Sequence, residues 1–110
     1  MIRSTLLVLA LSCLSVTAAF SQASSATING TLRDSSGSII PGAALVLRNP
    51  STSIETRSQS NESGYYAFLN ILPGQYTLEV SKAGFRTNKL SQFTLAVNQT
   101  ATIDVVMEVG

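Results

Sequence analysis

Hydrophobic and polar residues alternate along most of the chain after residue 26, and short segments rich in Gly, Pro, Asn and Ser interrupt the alternation. The clearest stretch places Tyr76, Leu78 and Val80 on one face and Thr77 and Glu79 on the other. A period of two puts successive side chains on opposite faces of a β-strand, so that one face is buried and the other is solvated. No segment sustains a helical period. The pattern therefore predicts an all-β domain.

Seven strands are predicted between the turn signals. They span residues 27–33, 43–48, 54–60, 65–69, 75–81, 86–95 and 100–109. Strands with one apolar face stack as two sheets around a shared core, which gives a β-sandwich. The third strand is almost entirely polar, and charged residues such as Glu55 and Arg57 discourage unwanted pairing at a sheet edge. We therefore predict that this segment is an edge strand.

Two Pro-Gly pairs indicate tight turns between the strands. In Pro41-Gly42 and in Pro73-Gly74, proline fixes φ near the value for the second turn position, and glycine tolerates the positive φ of the third. Both pairs are therefore predicted to form type II turns. The segments 34–37 and 61–64 are polar and end in glycine, which is also typical of turns.

The first 23 residues follow a different pattern. A basic start at Arg3 precedes an apolar run over residues 6–20, and small residues follow it, which is the layout of a secretory signal peptide. The run is shorter than the ~20 consecutive apolar residues that a membrane-spanning helix needs. We expect cleavage after Ala23, with Ala19 and Ser21 as alternatives, and no transmembrane span afterwards. The folded domain is then expected over residues 24–110.

Composition excludes several kinds of chemistry. Cys13 is the only cysteine and lies within the predicted signal peptide, so the mature domain is expected to have no disulfide and no thiol nucleophile. The sequence contains no histidine, which removes the commonest general base and metal ligand. The net charge is +1 with interspersed signs, so there is no basic stripe for nucleic acid. We expect no catalytic residues, no metal site and no cofactor.

Two groups of polar residues remain as candidates for binding. Tyr65 is the only tyrosine of the predicted strands that should point outward, and with Asn61 and Asn70 it is a candidate platform for a glycan. Glu55 and Arg57 mark the polar edge strand, to which a partner protein could add a strand of its own. The residues alone leave a protein and a glycan open as partners.

Several motifs resemble carboxypeptidase regulatory-like domains. Residues 30–43 fit the pattern G-x-x-x-D-x-x-G-x-x-[IVL]-P-G-A, and residues 61–68 fit N-x-x-G-x-Y-x-F. Residues 70–80 fit N-[LI]-x-P-G-x-Y-x-L-x-V, and 83–85 end in the usual G-[FY]. The resemblance covers residues 26–109. It implies a seven-stranded transthyretin-like (prealbumin-like) sandwich, grouped with carbohydrate-binding-like folds, that is an accessory domain without peptidase activity.

A signal peptide followed by such a domain resembles the periplasmic N-terminus of TonB-dependent outer-membrane receptors. The resemblance implies a non-catalytic, exported interaction module in the periplasm, at the outer membrane or outside the cell, with a cell-envelope protein as partner. A carbohydrate-binding module of the cell envelope and an accessory domain of a peptidase system are the alternatives. A fragment of a receptor and a stand-alone module both fit the sequence.

Overall fold

The computed structural model describes residues 25–110, which form two sheets packed face to face. The predicted signal peptide, including Cys13, lies outside the described residues. The first four strands are β1 (Ala26–Asp34), β2 (Ala44–Arg48), β3 (Glu55–Gln59) and β4 (Tyr65–Ile71). The last four are β5 (Gly74–Ser81), β6 (Asn88–Leu95), β7 (Thr100–Thr102) and β8 (Val105–Met107). Within residues 25–110, no helix is long and apolar enough to cross a membrane.

Each sheet contains four strands. In sheet one, β1 lies between antiparallel β4 on one side and parallel β7 and β8 on the other. In sheet two, the order is β3-β2-β5-β6 and every neighbouring pair is antiparallel. The predicted all-β sandwich is confirmed, and so is the edge position of the polar third strand.

The core lies between the two sheets and is built from the inward rows that the alternation predicts. In β5, Tyr76, Leu78 and Val80 are buried, whereas Glu79 is exposed. The largest fully buried side chains come from both sheets and are Tyr66, Ile28, Leu32, Leu45, Leu47, Leu78, Leu95, Met107 and Val80. Burial of such side chains contributes ~1.5–3 kcal/mol each, so this shared core is what holds the sheets together.

The number of strands differs from the prediction. The segment 100–109 is not one strand, because the chain leaves the ladder at Ile103 and Asp104 and divides into β7 and β8. There the main-chain N–H of Ile103 donates to the carbonyl of Asn29 at 2.7 Å. The Asp104 carboxylate accepts from the main-chain N–H of Thr31 at 2.9 Å, where a strand would offer a carbonyl. The sandwich therefore has eight strands rather than seven.

One of the two predicted type II turns is wrong. Gly42 has φ of 72°, which fits the third position of such a turn. Gly74 has φ of 154° and already belongs to β5, so the turn after β4 is built differently. The left-handed residue is Asn70, near the end of β4, with φ of 57°, and in the connection itself the Tyr76 hydroxyl donates to the carbonyl of Leu72 at 2.6 Å. This crossover takes the chain from sheet one to sheet two.

The sandwich has two lateral sides, each bordered by one edge of each sheet. We call the side between β3 and β4 the closed side, because the Ser58 hydroxyl of β3 donates to the carbonyl of Ala67 in β4 at 2.9 Å. We call the side between β6 and β7–β8 the open side. A cleft of about 150 Å³ enters the core there.

Candidate functional site

Asn61 and Tyr65 lie in and after the turn that leads into β4. The Asn61 side-chain oxygen accepts hydrogen bonds from the main-chain N–H groups of Ser63 at 2.9 Å and of Tyr65 at 3.0 Å. The Asn61 carbonyl accepts from the N–H of Gly64, which closes the turn. Asn61 therefore shapes the turn, and only the donor half of its amide is left for a ligand. Tyr65 is 43 % exposed and lies on the outer face of sheet one.

Asn70 lies at the other end of β4, five residues from Tyr65. A strand rises ~3.3 Å per residue, so the two are separated by roughly 17 Å along the strand. Asn70 lines a groove of about 300 Å³ between the β2–β3 loop and the crossover to β5. Two exposed apolar residues border the same groove, Ile54 at 65 % and Leu72 at 71 % exposed. Asn70 and Tyr65 therefore do not share one binding surface.

Glu55 and Arg57 form an exposed ion pair on β3, with 3.1 Å between the Arg57 nitrogen and the Glu55 oxygen. Such pairs at the surface contribute ~0–1 kcal/mol. Both side chains lie on the outer face of sheet two, because Arg57 is paired with Val46 in the neighbouring strand. They are therefore on the opposite side of the sandwich from Tyr65. The five predicted binding residues fall into three separate places.

A groove of about 360 Å³ crosses the outer face of sheet two. Its charged lining residues are Arg48, Glu55, Glu79 and Lys89. Strand pairing brings them together, because Arg48 lies opposite Glu55 and Glu79 lies opposite Lys89. The groove thus carries charges of both signs, and its lining also includes the apolar Val46. We call this feature the charged groove.

The sequence prediction missed Arg48, Glu79 and Lys89 as candidate binding residues. The alternation already indicated that Glu79 is solvated, but it carries no information on which strands are neighbours. Only the order β3-β2-β5-β6 places residues from four separate segments on one surface.

The described residues include few side chains of the kinds that enzymes use for catalysis. In the range 25–110, no group of three or more Asp, Glu, His or Cys residues is arranged to hold a metal ion. Asp34 has the clearest perturbation of a carboxyl group. A hydrogen bond from the Ser36 hydroxyl, together with main-chain N–H groups of Ser38, Ser36 and Gly37, lowers the pKa of Asp34 below its usual value. Asp34 closes its own turn by these contacts, which is a structural role.

The two packed sheets define a small β-sandwich module, and the charged groove lies on the outer face of one of them. The sequence profile of the carboxypeptidase regulatory-like domain matches residues 27–108, and the chain belongs to this family. No curated protein matches the sequence.

Solved structures share the fold at low sequence identity. A putative carbohydrate-binding protein from Bacteroides uniformis is 16 % identical with a TM-score of 0.64, over 77 % of this chain and 42 % of that one. The major pilin subunit of Bacillus cereus is 22 % identical with a TM-score of 0.63, over 79 % of this chain and 31 % of that one.

Enzymes share the fold as well. Hydroxyquinol 1,2-dioxygenase from Pseudomonas putida is 11 % identical with a TM-score of 0.64, over 83 % of this chain and 58 % of that one. The chain thus spans less than two thirds of each of these three proteins. At such identities the likeness concerns the fold alone, since one fold hosts many functions.

Proposed function

We propose that this domain is a non-catalytic protein-interaction module of an exported cell-envelope protein, at the N-terminus of a receptor of the TonB-dependent kind. Membership of an accessory-domain family supports the absence of a catalytic role. The predicted signal peptide supports export, and its position directly before the domain supports the receptor.

The charged groove is the observation that favours a protein as partner. Its lining carries both signs of charge beside the apolar Val46, from Glu55, Arg48, Glu79 and Lys89. Mixed charges around a desolvated centre give complementarity to another protein surface and fix the register of binding. A polyanion would instead favour a groove with one sign of charge.

A pull-down from native cell-envelope extract tests this function. The tagged domain over residues 24–110 is compared with a variant that carries both Glu55→Arg and Arg57→Glu. This exchange keeps the net charge and replaces the acidic residue of the groove at position 55 with a basic one, opposite Arg48. A matched control exchanges the second exposed ion pair, Arg86 and Glu108, which are 3.8 Å apart.

We expect the wild type and the control to recover the same outer-membrane or energy-transducing proteins, and the Glu55–Arg57 exchange to lose them. Recovery of no protein by the wild type would contradict the function. Recovery of a peptidase instead would point to an accessory domain of a peptidase system.

Glycan binding is the second candidate function. It is supported by the 43 % exposure of Tyr65 and by the fold shared with a putative carbohydrate-binding protein. Aromatic rings at the surface provide an apolar face on which a sugar can stack. Binding of the wild type to envelope glycans that is abolished by Tyr65→Ala, and kept by Tyr65→Phe, would favour this function over the first.

A further inference from the structure

The residues that border the two lateral sides of the sandwich differ in polarity. On the closed side, the inward residues of β3 are polar, and Ser58 bonds to the main chain of β4 at 2.9 Å. On the open side, apolar side chains border the gap between the sheets. The partly buried hydrophobic residues that pack against the core are Phe85, Leu90, Phe93, Ala101 and Ile103. None of these belongs to β3 or β4, so the partly buried residues that pack against the core lie away from the closed side.

The edge strands also differ in how well they are protected from pairing. β3 has five residues, two of them charged, and β7 and β8 have three residues each. In contrast, β6 has eight residues and a single charge, Lys89, and it contains no proline. Short, charged or interrupted edges resist the addition of a strand, and long uncharged edges accept it. β4, the other edge of sheet one, has seven residues and no charge, but the Ser58 hydroxyl of β3 donates to its main chain at 2.9 Å. On the open side, β6 is therefore the least protected edge.

Several contacts limit the free part of this edge. Just before β6, the main-chain N–H of Arg86 donates to the carbonyl of Glu108 at 2.7 Å, and Phe85 pairs with Val109. The Asn88 side-chain N–H donates to the carbonyl of Val106 at 3.3 Å, which ties β6 to β8 at one end of the open side. The part of β6 beyond this contact, residues 89–94, spans about 20 Å in an extended strand. The cleft of about 150 Å³ meets β6 at Asn88 and Leu90, at the start of this free part, and its lining includes the apolar Leu78, Val80 and Ile103 together with Asp104.

We propose that the edge of β6 binds an extended strand of the partner protein, with an apolar side chain that enters the cleft beside Leu90 and an acidic residue beside Lys89. The placement of these two side chains follows from strand geometry, because one row of the added strand faces the cleft and the other faces the charged groove. The acidic residue follows from charge, because Lys89 is the one charged residue of β6 and forms no ion pair among the described residues, although Glu79 lies opposite it in β5. This inference rests on the proposed interaction function and specifies where and how the partner binds.

A second copy of this chain fits the cleft less well than an extended strand of a partner protein does. In a β6–β6 dimer, the inward side chains of each β6 already pack against their own core, so they cannot enter the cleft of the other copy. The register of β5 and β6 also shifts between Tyr76 and Leu78, which leaves two residues of β6 opposite Thr77. Such a bulge twists an edge and disfavours pairing between two rigid sheets, whereas a free peptide can follow it.

The test uses a short synthetic peptide in which Val alternates with Thr and one central Thr is replaced by Asp. Two control peptides carry Lys in place of the Asp, or the same residues in an order without alternation. Binding to the domain over residues 24–110 is measured by fluorescence anisotropy, and main-chain amide hydrogen exchange locates the bound peptide.

We expect saturable binding of the alternating acidic peptide and slower exchange of amides within residues 89–94. Lys89→Glu should weaken this binding about fivefold, because a favourable cross-strand charge pair becomes repulsive. Lys82→Glu makes the same charge change in the turn after β5, and we expect less than about a twofold effect, since Lys82 lies outside the added strand's path. Lys89 is exposed, so the fold should survive its substitution.

Several results would overturn the inference. The first is the absence of saturable binding at millimolar peptide. The second is protection from hydrogen exchange in β3 or β4 instead of β6. The third is binding of the peptide without alternation that equals the binding of the alternating peptide. A dimer in sedimentation without peptide, with β6 protected, would identify a second copy as the occupant. If the peptides fail but the pull-down recovers envelope proteins, the proposed function stands and only this site is wrong. If the peptide binds β6 but the pull-down fails, strand binding stands without an envelope partner.

Discussion

The hydroxyl of Tyr66 donates a hydrogen bond to the main-chain carbonyl of Ile103, with 2.7 Å between the two oxygens. Tyr66 is a core residue of β4, and Ile103 lies at the break between β7 and β8. Burial raises the pKa of Tyr66, and the charge of Asp104 raises it further, so the hydroxyl stays protonated and remains a donor. The contact crosses sheet one under β1 and satisfies a carbonyl that has left the strand ladder.

Removal of this hydroxyl should destabilise the domain. For Tyr66→Phe we expect the free energy of unfolding to fall by ~1–2 kcal/mol, because the Ile103 carbonyl loses its partner in a partly buried place. Urea denaturation followed by circular dichroism measures the change. Tyr65→Phe is the matched control, since the exposed hydroxyl of Tyr65 should contribute less than ~0.5 kcal/mol. Equal effects of the two substitutions would contradict a structural role for the Tyr66–Ile103 bond.

A side chain at Gly30 should be far more disruptive than one at another glycine. A Cβ at Gly30 would lie 2.0 Å from the carbonyl oxygen of Ile103 and 2.9 Å from the Tyr66 ring. We expect Gly30→Ala to cost about 3 kcal/mol or to prevent folding, because main chain must move to make room. Gly37→Ala is the control: its Cβ would meet nothing within 4 Å, so only its φ of 89° is unfavourable. That strain costs about 1 kcal/mol, and a Gly30→Ala variant no less stable than this control would refute the close approach.

Ser60 should be essential to the turn before β2. Its hydroxyl donates to the carbonyl of Ile40 at 2.8 Å and accepts from the N–H of Ala43 at 2.9 Å, and the residue is only 4 % exposed. Ser60→Ala leaves both main-chain groups without this partner, so we expect a loss of ~2 kcal/mol in the free energy of unfolding. Thermal denaturation compares it with Ser63→Ala, which changes an exposed serine of the next turn. A melting temperature equal to that of the Ser63→Ala variant would show that water replaces the hydroxyl.

The carboxylate of Asp34 should contribute to stability in a pH-dependent way. Its pKa is lowered in the folded state from the ordinary value of 3.8, chiefly by the Ser36 hydroxyl. The unfolded state therefore binds the proton more tightly, and the stabilisation is present above about pH 4 and lost as the pH falls through the folded-state pKa. We expect the stability advantage of the wild type over Asp34→Asn to be larger at about pH 6 than at about pH 2.5.

Urea midpoints of the wild type and the Asp34→Asn variant at the two pH values measure this difference. Glu62→Gln serves as the control, because it removes an exposed carboxylate from the neighbouring turn segment. An advantage over Asp34→Asn that is the same at both pH values would contradict the role of the charge.

The sequence predicted most of the fold because each strand buries one face. In β5, the alternation of Tyr76, Leu78 and Val80 with polar residues determines the strand and its buried side without knowledge of its neighbours. The same holds for β3, where Glu55 and Arg57 indicate an edge position that the strand order confirms. Such features are local, because the period of side chains along one strand encodes them.

The break at Ile103 and the shape of the candidate surfaces could not be read from the chain in this way. Thr100 to Met107 alternates like a single strand, and the break is stabilised by contacts with distant segments, among them the hydrogen bond from the Tyr66 hydroxyl to the Ile103 carbonyl. Likewise, Lys89 and Glu79 are unremarkable polar residues until strand pairing places them opposite each other. Local periodicity is enough to specify the all-β class, most of the strands and their buried faces, because each of these depends on neighbouring residues in one segment. The eighth strand, the charged groove and the open side arise only when the chain folds, because they depend on contacts between segments far apart in the sequence.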